Sequence, residues 1–123
     1  MKNFTLGLVL GGLIALGITH LIHGRHSSRA FNTPFQAVLL DDNQVFYGKL
    51  SGLDGNYPIL DEVFYIKTGV DPQSKETKSV LVKRGKELHS PDRMYLNSRH
   101  IVLIEPVGAS SQVAKLIEQA KTE

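Results

Sequence analysis

Phe35 to Leu53 read FQAVLLDDNQVFYGKLSGL, and this stretch decides the fold class. FQAVLL (Phe35–Leu40) is a β-type run, Asp41-Asp42-Asn43 is a turn signal, and QVFYGKLSGL (Gln44–Leu53) resumes the β pattern, so the two runs form a hairpin. In the second arm Phe46, Gly48 and Leu50 alternate with Val45, Tyr47 and Lys49, the period of two that sends one set to a buried face. Gly48 in mid-strand predicts a sharp bend or a close backbone approach, and such a bend is what a small barrel needs to close.

Downstream the same grammar repeats. VFYIKTGV (Val63–Val70) gives a third strand, the polar segment VDPQSKETKS loops to a fourth, SVLVKRG (Ser79–Gly85), and HIVLIEPV (His100–Val107) supplies a fifth. Met94, Tyr95 and Leu96 read as an apolar plug before Asn97 turns the chain into that last strand. Five short strands predict a mainly β domain shaped as an SH3-like or Sm-like five-stranded barrel rather than a sandwich, which wants about seven strands. After Pro106 and Gly108, Ser110 or Ser111 can cap a short C-terminal helix, and Val113, Leu116, Ile117 and Ala120 fall at i, i+3, i+4 and i+7. Helices this short are marginal in water, so the apolar stripe is expected to pack on the barrel in preference to a partner.

Upstream, Phe4 to Ile22 run FTLGLVLGGLIALGITHLI without a charged side chain, matching the roughly 20 residues a helix needs to cross a bilayer. The organisation expected is a transmembrane anchor at 1–23, a linker at 24–34 with Pro34 at the domain entry, a small β domain at 35–109 and an amphipathic helix at 110–121. A cleaved signal peptide is the rival, with Lys2 as its basic leader and Ser28-Arg29-Ala30 as a small-x-small site. That site lies far past the apolar run with Arg25, His26 and Arg29 between, which favours retention. Gly7, Gly11, Ala15 and Thr19 recur every fourth residue and so line one helix face, shallow enough for another helix to approach; chance alignment of small residues is the alternative. The positive-inside rule sets Lys2 against Arg25 and Arg29, nearly a tie, and the short basic leader favours a signal anchor with the domain outside the cytoplasm.

Composition narrows the function classes. The chain has 123 residues, enough beyond the anchor for one modest core. Its formal charge is +2, but with Lys2, Arg25 and Arg29 set aside, 11 basic residues face all 12 acidic ones, a net of −1 from Phe31 onward. A near-neutral domain offers nucleic acid no electrostatic reason to bind. Cysteine is absent, which removes disulfides, thiol catalysis and thiolate metal sites.

Each constellation with chemical potential has a plainer reading. His20, His23 and His26 are spaced for a shared helix face, yet Gly24 and Ser27-Ser28 break the helix and no carboxylate precedes Asp41 to support ligation. Asp54-Gly55-Asn56 with Asp61-Glu62 collects oxygen ligands, but the glycine falls in the wrong place for a calcium loop, so a turn is expected. Lys83-Arg84-Gly85-Lys86 resembles a phosphate loop only in its Gly-Lys; Val80 and Glu87 stand where the first glycine and the hydroxyl should be. Lys83, Arg84 and Lys86 therefore read as a solvated strand end and a candidate contact for an anionic headgroup or acidic partner. His89, Ser90 and Asp92 are too close in sequence to form a nucleophile relay. No catalytic residue, metal ligand or cofactor site is expected.

The segments FQAVLLDDNQVFYGKL, ILDEVFYIKTG and LVKRGKELHSPDRMYLNSRHIVLIEPV resemble a set of uncharacterised small bacterial membrane-anchored proteins that share a signature AVxLxxxQVxxGKL and a later MYLN…I. The resemblance spans about Phe35 to Val107. It implies the anchor-plus-β-domain layout, more often with the domain outside the cytoplasm, and carries no activity and no functional residues. The function expected is a non-enzymatic interaction module of the inner membrane, an accessory or assembly subunit of a larger complex. Its partners would be the lipid bilayer and other membrane subunits, or a second copy of itself through the helix. A free-standing envelope protein whose β domain binds a ligand or lipid headgroup is the alternative.

Overall fold

Residues 31–122 are described by a computed structural model. They are mainly β: one antiparallel sheet and a short C-terminal helix. The strands are β1 (Gln36–Leu40), β2 (Val45–Ser51), β3 (Ile59–Val70), β4 (Thr77–Lys83), β5 (Arg93–Tyr95) and β6 (Ile101–Pro106), followed by helix α1 (Gln112–Lys121). A single 3-10 turn, Ser98–His100, precedes β6. The expected anchor, the small-residue face expected at Gly7, Gly11, Ala15 and Thr19, and the histidines at 20, 23 and 26 lie outside the described residues. Among the described residues no helix is long and apolar enough to cross a membrane.

The expected hairpin forms with Leu39 opposite Val45 and Gln36 opposite Gly48. Its turn closes because Asn43 adopts a left-handed conformation (φ 67°), which its side chain tolerates, while Asp42 Oδ1 accepts the Gln44 N–H at 3.0 Å. Strand order is β4-β3-β2-β1-β6, and β5 pairs with β3 outside that path. The twelve-residue β3 faces β2 on one edge; on the other it takes β5 along Ile59–Asp61 and then β4 along Phe64–Val70. Between those partners Glu62 turns left-handed (φ 49°) and the register to β2 slips by one residue, a bulge. Opposite it sits Gly48, where a Cβ would lie 2.7 Å from Leu60 Cγ and 2.8 Å from the Asp61 carbonyl oxygen. The predicted close approach is therefore real, and the bulge is its cause.

Two differences from the sequence reading have a common origin. β3 begins at Ile59 rather than Val63, because Asp61, a turn former by composition, pairs with Lys49 on one edge and Arg93 on the other, while Glu62 is taken up in the bulge. Arg93–Tyr95 is a strand, so six strands stand where five were expected; pairing with β3 supplies the structure that its three residues lack on their own.

The sheet buries both faces. On one, Val38, Phe46, Leu50, Leu60, Val63 and Leu96 form a cluster against which Phe31, Met94 and Ile104 pack. On the other, Phe35, Phe64 and Val107 lie under Ile117 of α1, which is 1% exposed. Ser111, one of the two expected caps, accepts the Ala114 N–H at 3.1 Å; of the expected stripe Val113 and Ile117 pack on the sheet, joined by Ala114, while Ala120 is exposed. Burying Ile117 instead of leaving it in water contributes about 1.5–3 kcal/mol, the kind of term that holds a ten-residue helix in place.

Candidate functional site

The residues flagged for anion contact sit at the end of β4, and the structure separates them. Lys83 is exposed, opposite Phe64; Lys86 is exposed and borders neither of the two clefts described next; Arg84 alone is drawn in, with 22% of its side chain open. The pull on Arg84 begins in the backbone, whose N–H continues the β3 ladder by donating to the Val63 carbonyl at 2.8 Å. Gly85 then turns with φ 135°, a conformation that favours glycine, and its N–H donates to Glu87 Oε2 at 2.8 Å. Ser90, left-handed at φ 46°, donates its N–H to the Glu87 carbonyl and closes the loop.

That loop lays the Arg84 guanidinium over the Phe46 ring, 5.9 Å from its centroid, with one amino group 3.6 Å from Met94 Sδ. Glu87 Oε1 stands 3.3 Å from Arg84 Nε, within ion-pairing distance, yet Nε is buried and makes no hydrogen bond because the oxygen lies off the N–H axis. The Gly85 N–H foremost, then Glu87's own N–H, hold the Glu87 carboxyl below the usual range against the opposing effect of burial, with the Arg84 charge a lesser help.

Arg84 stands in the wall of two clefts. The larger, about 680 Å³, runs from Asn43 and Gln44 at the hairpin turn past Phe46, Tyr65 and Ile66 to Arg84 and Glu87. Its apolar side is an edge-to-face pair, Phe46 against Tyr65, with ring centroids 6.4 Å apart. The smaller, about 250 Å³, lies between Lys83, Arg84, Pro91, Asp92 and Arg93. Across the sheet, a groove of about 420 Å³ follows Ala37, Leu39, Val45, Tyr47 and Leu103 to the start of α1. There the register sets Leu39 between Val45 and Leu103, an apolar row on the face that α1 covers further along.

The remaining sequence candidates resolve into structure. The Asp54-Gly55-Asn56 segment is a turn, with the Gly55 N–H donating to the Gly52 carbonyl at 3.1 Å. Asp61 pairs with Arg93 at 3.2 Å and Glu62 with Lys49 at 3.3 Å, both at the surface. Arg93 is held above its ordinary value first by the Tyr95 hydroxyl and then by Asp61. His89, Ser90 and Asp92 are exposed, and Ser90 serves through its backbone. Among the described residues no group of three or more His, Cys, Asp or Glu side chains is placed to hold a metal ion. Phe46 is legible in the sequence as a buried-face position of the second strand, whereas no local pattern marks Tyr65 and Glu87 as its partners in the cleft. No protein-family model and no curated protein matches the chain.

Proposed function

We propose that this protein is a non-enzymatic, membrane-anchored interaction module, an accessory or assembly subunit of a larger complex in the inner membrane of a bacterium. In this reading residues 4–22 cross the bilayer and pack against other subunits, or a second copy, through Gly7, Gly11, Ala15 and Thr19. The β domain lies on the extracytoplasmic side and works as a small SH3-like or Sm-like barrel. The bulge in β3, the 3-10 turn before the last strand and the β4-β3-β2-β1-β6 order support that fold, although among the described residues no ladder joins β6 to β4 or β5.

The observation that carries the proposal is the open apolar row Leu39, Val45 and Leu103. Leu103 is 40% exposed at its edge, and the row extends the surface that the domain already covers with α1. An apolar sheet face continuing beyond its own cover is what a docking partner would complete. The alternative is a free-standing envelope protein whose β domain binds a ligand or lipid headgroup.

Mild-detergent extraction from native membranes, followed by size separation and mass spectrometry, tests the reading. Migration with a large complex, lost on Gly11→Leu while the domain stays folded, is the expected result. Migration alone or as a small homo-oligomer would end the accessory-subunit assignment.

A further inference from the structure

Arg84 is under-used by its own protein. A guanidinium offers five N–H donors in a planar fork that suits a carboxylate taken by both oxygens. Glu87 cannot give that grip: one of its oxygens is committed to the Gly85 N–H at 2.8 Å, and the other reaches Nε at 3.3 Å off the donor axis. Met94 sulfur, at 3.6 Å, is a weak acceptor, and the Phe46 face takes charge but no hydrogen bond. The cation is thus held in place by packing, with most of its hydrogen-bonding capacity unspent in the wall of the 680 Å³ cleft.

We infer that this cleft binds an acidic peptide segment of a partner protein, with a carboxylate on the Arg84 fork and a neighbouring apolar side chain against Phe46 and Tyr65. This names a second contact of the interaction module, on the opposite face of the sheet from the row of Leu39, Val45 and Leu103, and rests on that reading. The surroundings select the ligand. The cleft holds one cation and one anion, which suits a single carboxylate and not a run of phosphates. The aromatic wall and the half-open Ile66 suit an aliphatic or aromatic side chain, and the exposed amides of Asn43 and Gln44 at the rim can meet peptide backbone groups. Glu87 then acts as a resident competitor that a stronger, two-oxygen ligand outbids.

The test is an isotope-edited NMR titration of the full chain in phosphatidylcholine nanodiscs with capped hexapeptides, Gly-Φ-Asp-Asp-Φ-Gly, where Φ is Phe, Leu or Tyr, against the same peptides with Asn in place of Asp. The Asp peptides should shift Gln44, Phe46, Tyr65 and Gly85, and the Asn peptides should not. Arg84→Met should weaken binding about ten- to a hundredfold, the worth of a charge-assisted hydrogen bond. Glu87→Gln leaves Arg84 in place and, by removing the competing charge, should tighten binding about two- to fivefold. Equal behaviour of Asp and Asn peptides, shifts scattered away from the cleft, or unchanged or weaker binding by Glu87→Gln would each overturn the assignment, even if Arg84→Met proves too unstable to titrate. Failure is separable from that of the module reading: Asp and Asn peptides that titrate alike while the chain still migrates with a large complex remove this cleft and leave the module, whereas a chain that migrates alone removes the module and the acidic partner segment with it.

Discussion

Gln36 is a polar side chain sealed in the core, 2% exposed, and its removal should cost more than its size suggests. The β1–β2 register places Gln36 opposite Gly48, so one ladder step further Leu50 would face Pro34, beyond the start of β1. The Leu50 N–H accordingly has no backbone acceptor on that side, and Gln36 Oε1 accepts it at 2.9 Å in a buried setting. The same amide donates from Nε2 to the Thr33 carbonyl at 2.6 Å, tying the incoming chain to the sheet. Gln36→Ala orphans the Leu50 N–H, at about 1–3 kcal/mol for an unsatisfied buried donor, and opens a cavity besides. A loss of about 2 kcal/mol lowers Tm by about 8–16 °C in a domain of this size. All four tyrosines lie in the described domain and the chain has no tryptophan, so intrinsic tyrosine fluorescence of the full chain in micelles reports this unfolding alone. Gln36→Leu restores volume without the acceptor, separating cavity from hydrogen bond. In both variants hydrogen exchange at the Leu50 amide should accelerate ahead of its neighbours. A Leu50 amide as protected in Gln36→Ala as in the parent would refute the reasoning.

Two further outcomes follow from local geometry. Gly48→Ala places a methyl within 3 Å of Leu60 and of the Asp61 carbonyl oxygen, and because the bulge fixes that carbonyl the strain should cost about 1–3 kcal/mol; unchanged chemical denaturation would show that the bulge is soft. Asp71 is held below the usual carboxylate range first by the Gln73 N–H (2.9 Å), against some desolvation, then by Ser74 and Lys78, and Glu87 is lowered chiefly by Gly85. A depressed folded value means a contribution present above the unfolded value and lost as pH falls through the folded one, so both loops should loosen only in strong acid. Carboxyl NMR titration should place both midpoints below the ordinary range, with the Gln73 amide following Asp71; a midpoint at or above the ordinary value at either site contradicts the hydrogen bonds described.

What could be read from sequence was whatever a few adjacent residues decide together. The hairpin at 35–53, the constraint at Gly48 and the Ser111 cap are local patterns and appear where expected, and of the stripe Val113, Leu116, Ile117 and Ala120 the residues Val113 and Ile117 pack while Ala120 is exposed. What escaped depends on distant partners. Asp61-Glu62 signals a turn until β2 and β5 pair with Asp61 from both sides and leave Glu62 as a bulge, and Arg93–Tyr95 has no strand character apart from β3. Arg84 belongs to a charged run in sequence, and only the return of the chain past Gly85 and the approach of Phe46 distinguish it from Lys83 and Lys86. The cleft is built from β2, β3 and the loop after β4, so no single window contains it.

The two buried faces bear on why the domain leaves apolar surface open. Five strands side by side at about 4.8 Å make a sheet roughly 20 Å wide, while a ten-residue helix is only about 15 Å long. α1 packs against Phe35, Phe64, Val107 and Leu81, and Leu39, Val45 and Leu103 line the groove that opens beside its first turn. A chain selected only for solubility has an easy remedy, since a polar residue at the outward position of Leu103 would disturb no buried cluster. The apolar choice at Leu103 and its neighbours is thus better explained by a surface to be covered than by the needs of the fold, and it lies on the opposite face of the sheet from Phe46 and the Arg84 that rests upon it.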